Sequence, residues 1–445
     1  MNFGKVFNNA KWIILCKIIQ SVLQLVVGML CARYLGPSNY GLISYAASIA
    51  AFATPVMRLG FNATLVHELV EAPEKEGEIM GTSLAMNILS SVLCMGGVAV
   101  FVMFANAGEK ETLLVCILYS LSLFFAAIEM IQYWFQYKLQ SKYSSLIMLA
   151  SYIFVSAYRI YLLVASKNVY WFAVTPSIEY GIIGITLVFL YMKKFKGRFS
   201  FSFSAARSMF SRSKHYILSS LMVVVFQNTD HIMLTTMISD EENGFYTAAI
   251  TTAGVIQFVY TAIIDSFRPM ILSGKKENAQ DYKKLISMLY CVIIYLSLAQ
   301  SIVFSVFSKL IISMLYGEGY MASVPVLRIL IWFLVFSYMG TVRNVWILAE
   351  QKQKYLWIIN LSGAAFNIIL NAVMIPYWGA CGAAFASLLT QFFTNFVLGF
   401  IMKPIRENNI FLIKGINPAF VIKEGKSMLD LLKNRNKNKE EADAN

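Results

Sequence analysis

The sequence predicts an all-α integral membrane protein, and two observations carry that prediction: the balance of apolar to charged residues, and the recurrence of apolar runs long enough to cross a bilayer. Of 445 residues, 58% are hydrophobic and 14% charged, with a mean hydropathy of +0.62. An ordinary soluble chain is about 45–50% apolar and about 25% charged. Apolar stretches of about 20 residues, the length an α-helix needs to traverse the hydrocarbon layer, fall at 12–34, 40–60, 81–105, 112–136, 145–166, 169–192, 215–238, 244–272, 285–308, 322–349, 355–375 and 379–402. About twelve transmembrane helices are therefore expected in one continuous membrane domain.

The first run follows a basic start, is longer than a signal-peptide core and lacks a small-residue cleavage pattern, so it is expected to be the first span. With the N-terminus in the cytoplasm, the inner connections carry Lys138 and Lys142, then Lys193, Lys194, Lys196, Arg198, Arg207, Arg212 and Lys214, then Lys275, Lys276, Lys283 and Lys284, then Lys352 and Lys354. The outer ones carry little beyond Lys110, Lys167 and Lys309. This bias places both termini in the cytoplasm. The acidic stretch 68–78 also lies inside, where acidic residues weigh little in the rule.

The longest basic connection, 193–214, separates six spans from six. The expected organisation is an N-terminal six-helix lobe with a basic cytoplasmic linker (1–213), a C-terminal six-helix lobe (214–403) and a basic, partly disordered cytoplasmic tail (404–445). Within the tail, 420–432 has the pattern of either a short amphipathic helix on the anionic inner leaflet or a solvated segment. An internal echo supports two related halves: Tyr40-Gly41-Leu42-Ile43-Ser44-Tyr45-Ala46-Ala47 at the start of the second span resembles Asn243-Gly244-Phe245-Tyr246-Thr247-Ala248-Ala249 at the start of the eighth.

Composition and spacing also weigh against several functions. The net charge of +13 belongs to orientation signals between apolar runs, so no nucleic-acid partner is expected. The six cysteines fall in or beside apolar runs with no CxxC spacing, as small packing residues do. Gly36 and Gly41 have the spacing of a phosphate-binding loop, but Leu42 follows where that loop needs Lys. His67, His215 and His231 are scattered, with no metal-ligand or triad grouping, and the outer loops are too short to hold a catalytic domain. The expectation is a protein that is not an enzyme, with no cofactor and no metal site.

The informative residues are ionisable side chains inside spans: Lys17, Arg58, Glu129, Arg159, Glu179, Asp230, His231, Asp265, Arg268 and Arg343. Each charge at mid-bilayer costs about 2.5–3.5 kcal/mol on insertion scales, so these residues must face a hydrated cavity or one another. Arg58, Arg268 and Arg343 lie toward the cytoplasmic ends of their spans, with Lys17 about a turn and a half inside the first. Snorkelling to the headgroups is the plain alternative, and Asp265 and Arg268, three residues apart, can pair on one helix. Arg159, Glu179 and Asp230 sit deeper. A carboxyl group there can exchange a proton or sodium ion between conformations, or merely tie helices together by hydrogen bonds. Asn360, Asn367 and Asn371 mark a polar face that reads as packing. Most of the aromatic residues at span ends, among them Tyr133, Trp134, Tyr137, Tyr377 and Trp378, fit an interfacial belt.

The run Ala32-Arg33-Tyr34-Leu35-Gly36-Pro37-Ser38-Asn39-Tyr40-Gly41, then Asp230-His231-Ile232-Met233-Leu234 with Gly244-Phe245-Tyr246, then Asn367-Ile368-Ile369-Leu370-Asn371 with Ile375-Pro376-Tyr377-Trp378-Gly379-Ala380-Cys381-Gly382-Ala383-Ala384 resemble, in order, signatures of the polysaccharide-unit (O-antigen, Wzx-type) flippases. These belong to the multidrug/oligosaccharidyl-lipid/polysaccharide exporter superfamily, which also holds multidrug extruders and the peptidoglycan lipid flippase. The resemblance spans nearly the whole chain except the tail. It implies a MATE-like bundle of two six-helix lobes. By alternating access the bundle would translocate undecaprenyl-diphosphate-linked oligosaccharide, for O-antigen, lipopolysaccharide or a similar surface polysaccharide, to the periplasmic face of the bacterial inner membrane. On that reading Arg58 and Arg268, with Lys17, contact the diphosphate through charge-assisted bonds, while Arg159 and Arg343 line the lumen. Glu179 or Asp230 would couple transport to a proton or sodium gradient. The polysaccharide polymerase and chain-length regulator are candidate partners. A multidrug or cation antiporter of the same superfamily would prefer a carboxylate-rich cavity and so fits this cationic set less well. A membrane component of polysaccharide assembly that does not itself transport stays open.

Overall fold

The computed structural model describes residues 3–194, 199–277 and 279–417, with side chains described at Cys16 and from 19 onward except at 274, 276, 277 and 279–281. The Lys17 side chain and the tail segment 420–432 lie outside the described residues. Among the described residues every regular element is helical, as the bilayer demands of a chain that must satisfy its own backbone hydrogen bonds. Among the described residues ten segments are long and apolar enough to cross a membrane. Two of them, Ile19–Glu71 of 53 residues and Gln353–Ile401 of 49, would each run about 75–80 Å as straight helices, far beyond the hydrocarbon thickness of about 30 Å. Each is broken by a glycine in a conformation no helix allows: Gly36 at φ 72° and Gly379 at φ 51°. These two breaks give the ten segments the capacity for twelve crossings.

Both breaks sit in stretches that stood out in the sequence. Gly36 precedes Pro37, and the Asn39 side-chain amide donates back across the bend to the carbonyl oxygen of Leu35 at 3.2 Å. Pro376 lies just before Gly379, and there the chain reverses. A methyl group on Gly382 would fall 2.3 Å from the carbonyl oxygen of Met374. Asn367 donates to Ser387 at 3.4 Å, and Asn371 to Asn367 at 3.1 Å, so the asparagine face of the eleventh span ties the two arms of this hairpin together.

Packing divides the chain into two compact units, Met1–Ala248 with Ser313–Met321, and Ala249–Ile312 with Ala322–Asn445. The six-and-six boundary expected at 213 instead falls within a continuous helix, Phe203–Met237. The first unit holds α1 (Phe3–Met57), α2 (Phe61–Glu71), α3 (Glu76–Ala105), α4 (Lys110–Glu129), α5 (Gln132–Tyr137), α6 (Ser141–Val164), α7 (Val169–Lys194), α8 (Phe203–Met237) and the start of α9 (Asp240–Ala253). Two of its buried clusters join most of these helices. Tyr45, Ile49 and Met57 of α1 meet Val98 and Val102 of α3, Val115 and Leu123 of α4 and Ala173 of α7. Phe61, Leu65 and Leu69 of α2 meet Trp134 and Phe135 of α5, Leu187 and Tyr191 of α7 and Met209 of α8.

Lipid tails are as apolar as leucine, so helices in a bilayer associate through close contact more than through burial, and small residues mark such contacts. The two halves of the sequence echo provide one. A methyl group on Gly41 would lie 1.7 Å from the carbonyl oxygen of Asp240, and one on Gly244 would lie 2.0 Å from that of Pro37. The Asn243 amide donates to the carbonyl oxygen of Gly41 at 2.9 Å, and Thr247 donates to Ser44 at 2.9 Å. The echoed segments therefore pack on each other.

The second unit holds the rest of α9, then α10 (Gln257–Glu277), α11 (Ala279–Tyr316) up to 312, α12 (Ser323–Ala349), α13 (Leu356–Phe392), α14 (Leu398–Ile401) and α15 (Arg406–Ile416). A π-helix, Phe393–Val397, separates α13 from α14. In α15, Asn408, Asn409, Phe411 and Leu412 are buried, and Tyr290 donates to Asn408 at 2.8 Å. This part of the expected tail is therefore a docked helix. Its polar composition hid it because two of its buried side chains, Asn408 and Asn409, are amides. Between α12 and α13, Glu350 accepts from Lys275 at 2.9 Å and from Tyr282 at 2.7 Å.

Two measurements check this packing. Gly244→Ala should destabilise the protein by roughly 1–3 kcal/mol through overpacking against backbone, read as a lower Tm in detergent. Gly96→Ala, where nothing lies within 4 Å, should be neutral or slightly stabilising. The second concerns pH. Burial pushes the Glu350 carboxyl up, but the Lys275 and Tyr282 hydrogen bonds and the Lys275 and Lys352 charges outweigh it and hold it below the ordinary value of 4.5. Stability from this ionised group is present above about pH 4.5 and is lost as pH falls further. Thermal scans between pH 6 and 3 (roughly the window for a carboxylate) should show a smaller acid-induced drop in Glu350→Gln than in the parent.

Candidate functional site

Arg58 follows the last turn of α1, where the carbonyl end of a helix favours a cation. The Gly60 turn at φ 75° then sends the chain into α2. From this corner the Arg58 guanidinium reaches Glu129, the last residue of α4, at 3.3 Å, with the two side chains 27% and 9% exposed. Gln132 donates to the other carboxylate oxygen at 2.9 Å. Arg58 and Glu129, with Asn62, Asn87 and Tyr133, line an enclosed cavity of about 10 Å³. That is room for about one water molecule, and a sugar ring cannot enter it. The sequence marked both charges, but Glu129 was given no role. The available signal was their opposite signs at the same end of neighbouring spans.

Arg159 and Glu179 come together on α6 and α7, which pack side by side. The Arg159 Nε donates to the Thr175 hydroxyl at 3.2 Å, and that hydroxyl donates on to the carbonyl oxygen of Phe172 at 2.8 Å. The Arg159 charge acts on the Glu179 carboxylate, but among the described residues neither side chain forms an ion pair. Both are half-buried. Glu179 lies ten residues into the 26-residue α7, near its middle, as the span count expects.

Asp230 is buried and accepts from the Tyr246 hydroxyl at 2.5 Å. Beside it His231 lies 2.7 Å from Asn243 Oδ1 and 3.3 Å from the hydroxyls of Ser44 and Thr247. This network joins α1, α8 and α9 within the first unit. Asp230 was singled out from sequence, whereas Tyr246, Asn243, Ser44 and Thr247 were noted only as part of an echo.

In the second unit Arg268 pairs with Asp265 one turn earlier at 2.9 Å, and both stay about half exposed, at 47% and 51%. This is the intrahelical pair that the three-residue spacing allows. Arg343, expected to line a lumen, is instead only 5% exposed. It donates to the carbonyl oxygen of Thr394 in the π-helix at 2.7 Å and approaches Asn344 at 3.5 Å, with its Nε left without an acceptor. The π-helix exposes carbonyls that a regular helix would occupy, so the guanidinium serves the packing of α12 on the chain leading into α14. The predicted cations therefore fall into three kinds. Arg58 and Arg268 are ion-paired and partly accessible, Arg159 meets hydroxyls and, among the described residues, no ion-pair partner, and Arg343 is enclosed.

Residues 6–275, more than half of the chain, match the profile of the family described as "Polysaccharide biosynthesis protein". A stretch of 244 residues, 49% of this chain, is 26% identical to an uncharacterized membrane protein of Methanocaldococcus jannaschii and covers 46% of it, so the chain spans about half the length of the curated relative it matches. Among solved structures, the lipid II flippase MurJ in an inward closed conformation superposes with a TM-score of 0.67 at 16% identity, covering 93% of this chain and 92% of that one. An inward-facing multidrug resistance MATE transporter of the MOP superfamily gives 0.63 at 12% identity, covering 88% and 95%. At such identities these likenesses are of fold alone. The chain belongs to the polysaccharide biosynthesis protein family and is built on the helical fold of the MOP-superfamily transporters.

Proposed function

We propose that this protein is a flippase that carries an undecaprenyl-diphosphate-linked oligosaccharide unit, of O-antigen or a similar surface polysaccharide, from the cytoplasmic to the periplasmic face of the inner membrane, with both termini cytoplasmic. Family membership supports a role in polysaccharide biosynthesis, and the fold supports transport across a bilayer. The observation that carries the choice of an anionic cargo is Arg159. It is a half-buried guanidinium on a membrane-spanning helix that, among the described residues, has no carboxylate within ion-pair distance; its Nε donates to the Thr175 hydroxyl, with the Tyr152 hydroxyl and the Glu179 carboxylate also near it. An unneutralised cation in hydrocarbon is costly, and a diphosphate entering from water supplies the missing charge through bidentate, charge-assisted bonds.

In this reading Arg58 and Arg268 are each, within its own unit, a candidate diphosphate contact, and their carboxylate partners hold the guanidiniums ready when no cargo is bound. Moving an arginine from Glu129 or Asp265 to a phosphate exchanges one anion for another, so capture and release need no bare charge. Transport makes and breaks no covalent bond, so no catalytic group is required. Glu179, half-buried with Arg159 nearby, is the candidate for coupling to a proton or sodium gradient, with Asp230 second because Tyr246 already occupies it. The polymerase and chain-length regulator of the same polysaccharide are the partners this role implies.

Arg58→Ala should abolish surface polysaccharide in cells. Removing one member of a largely buried pair costs roughly 3–5 kcal/mol, so Arg58→Ala/Glu129→Gln separates the roles. The double variant should regain parental thermal stability yet still export no polysaccharide. Recovery of export would instead make the pair purely structural. In vesicles reconstituted with a polyprenyl-diphosphate oligosaccharide, Glu179→Gln should lose any acceleration by an imposed proton or sodium gradient, and retained acceleration would remove Glu179 from coupling.

A further inference from the structure

The cargo reading makes no use of the connection between α7 and α8 or of the first three turns of α8. This region carries an exposed groove with a composition of its own. The groove, with a volume of about 610 Å³, is lined by Phe203, Ser204, Arg207, Ser208, Ser211 and Arg212. Behind it, Ala206, Met209 and Ser213 are buried, at spacings of three and four that place them on one helix face. The groove face therefore presents two arginines, three hydroxyls and Phe203 outward, with Phe201 and Phe210 exposed at its flank. Phe203 is 78% exposed, Phe201 59% and Phe210 41%.

Two contacts fix the level of this segment in the membrane. At its start the Ser202 backbone N–H donates to the Thr82 hydroxyl at 3.1 Å, near the beginning of α3. At its end a methyl group on Gly60 would lie 2.4 Å from the carbonyl oxygen of Ser213, just past the end of α1. Residues 202–213 thus rest on the ends of two membrane-spanning helices, where lipid headgroups lie. The length of α8 agrees. Its 35 residues would extend about 52 Å as a straight helix, against a hydrocarbon thickness of about 30 Å, and the apolar run begins only after Lys214 and His215.

The two arginines differ. Arg212 is neutralised by Glu68 at 3.3 Å and Glu71 at 3.0 Å. Arg207 is exposed, and among the described residues no carboxylate lies within ion-pair distance of it. A free guanidinium flanked by the Ser204, Ser208 and Ser211 hydroxyls suits a phosphate. The adjoining phenylalanines suit acyl chains and would be a liability in bulk water.

We propose that this groove binds an anionic phospholipid of the surrounding membrane. Arg207 holds the phosphate, the serine hydroxyls bond the phosphate and glycerol oxygens, and Phe203 and Phe210 lie against the upper acyl chains. The site uses none of the cationic residues assigned to cargo and would anchor the linker half of α8 to the bilayer surface. The chemistry selects a phosphate attached to a lipid, since the aromatic flank offers nothing to a free phosphate ion.

Native mass spectrometry of the full-length protein in detergent, titrated separately with phosphatidylglycerol and phosphatidylcholine, tests the proposal. The parent should bind its first phosphatidylglycerol more tightly than phosphatidylcholine. Arg207→Gln should lose about five-fold of that preference, the effect of one basic side chain at an anionic surface, and Phe203→Ser should weaken both lipids. Lys309→Gln, which removes an exposed charge elsewhere, should change neither. Arg207→Gln should elute and melt as the parent does, because its side chain has no carboxylate to lose. Equal preference in the parent and Arg207→Gln, or full displacement of the lipid by millimolar inorganic phosphate (approximate working range for a weak anion site), would overturn the proposal.

Discussion

A chain in hydrocarbon has no water to satisfy its polar groups, and the rest of this structure depends on that constraint. Backbone amides find partners only by closing helices. Two of the helices turn where glycine permits a reversed backbone, at Gly36 and Gly379. Charged side chains must find an opposite charge, a carbonyl or a polar space. Arg58 finds Glu129, Arg268 finds Asp265 and Arg343 finds a carbonyl opened by the π-helix. Arg159 donates to the Thr175 hydroxyl and, among the described residues, has no carboxylate within ion-pair distance, and the proposed function rests on that shortfall.

The same constraint explains what was legible in the sequence. Span number, helical class and the gaps that hold both turning points follow from run length, because these are local demands of the bilayer. The echo between 40–47 and 243–249 was visible as likeness. Its meaning, two segments touching through Gly41 and Gly244, needed coordinates because contact at a separation of about 200 residues leaves no local trace. Partners were harder still. Glu129, Tyr246 and Asn243 are ordinary residues until another helix brings Arg58, Asp230 or His231 to them. The docked α15 was read as part of a polar tail because its buried face is made of Asn408 and Asn409 beside Phe411 and Leu412, a pattern that apolar periodicity does not detect.

The ion pairs bear on how a transporter of this kind would handle an anion. A guanidinium held by a carboxylate is positioned and partly desolvated before cargo arrives, and exchange of one anion for another keeps the local charge balanced. Arg159 and Glu179 lie on the adjacent helices α6 and α7 of one unit, close enough for the Arg159 charge to act on the Glu179 carboxylate. The groove over α8 adds a separate demand, that the membrane's own lipids hold the surface segment from which that helix descends.

The central claim is that Arg159 looks onto water and away from lipid, and thiol accessibility tests it most directly. With the six native cysteines replaced, Arg159→Cys and Phe154→Cys place a thiol at two positions on α6, the second at a side chain that is 58% exposed on the helix surface. A membrane-impermeant thiol reagent should modify position 159 at least about ten-fold faster than position 154, because thiolate forms only where water reaches, and lipid-linked diphosphate should protect it. Equal or slower labelling at 159 would place that residue in lipid or dry packing and contradict the account.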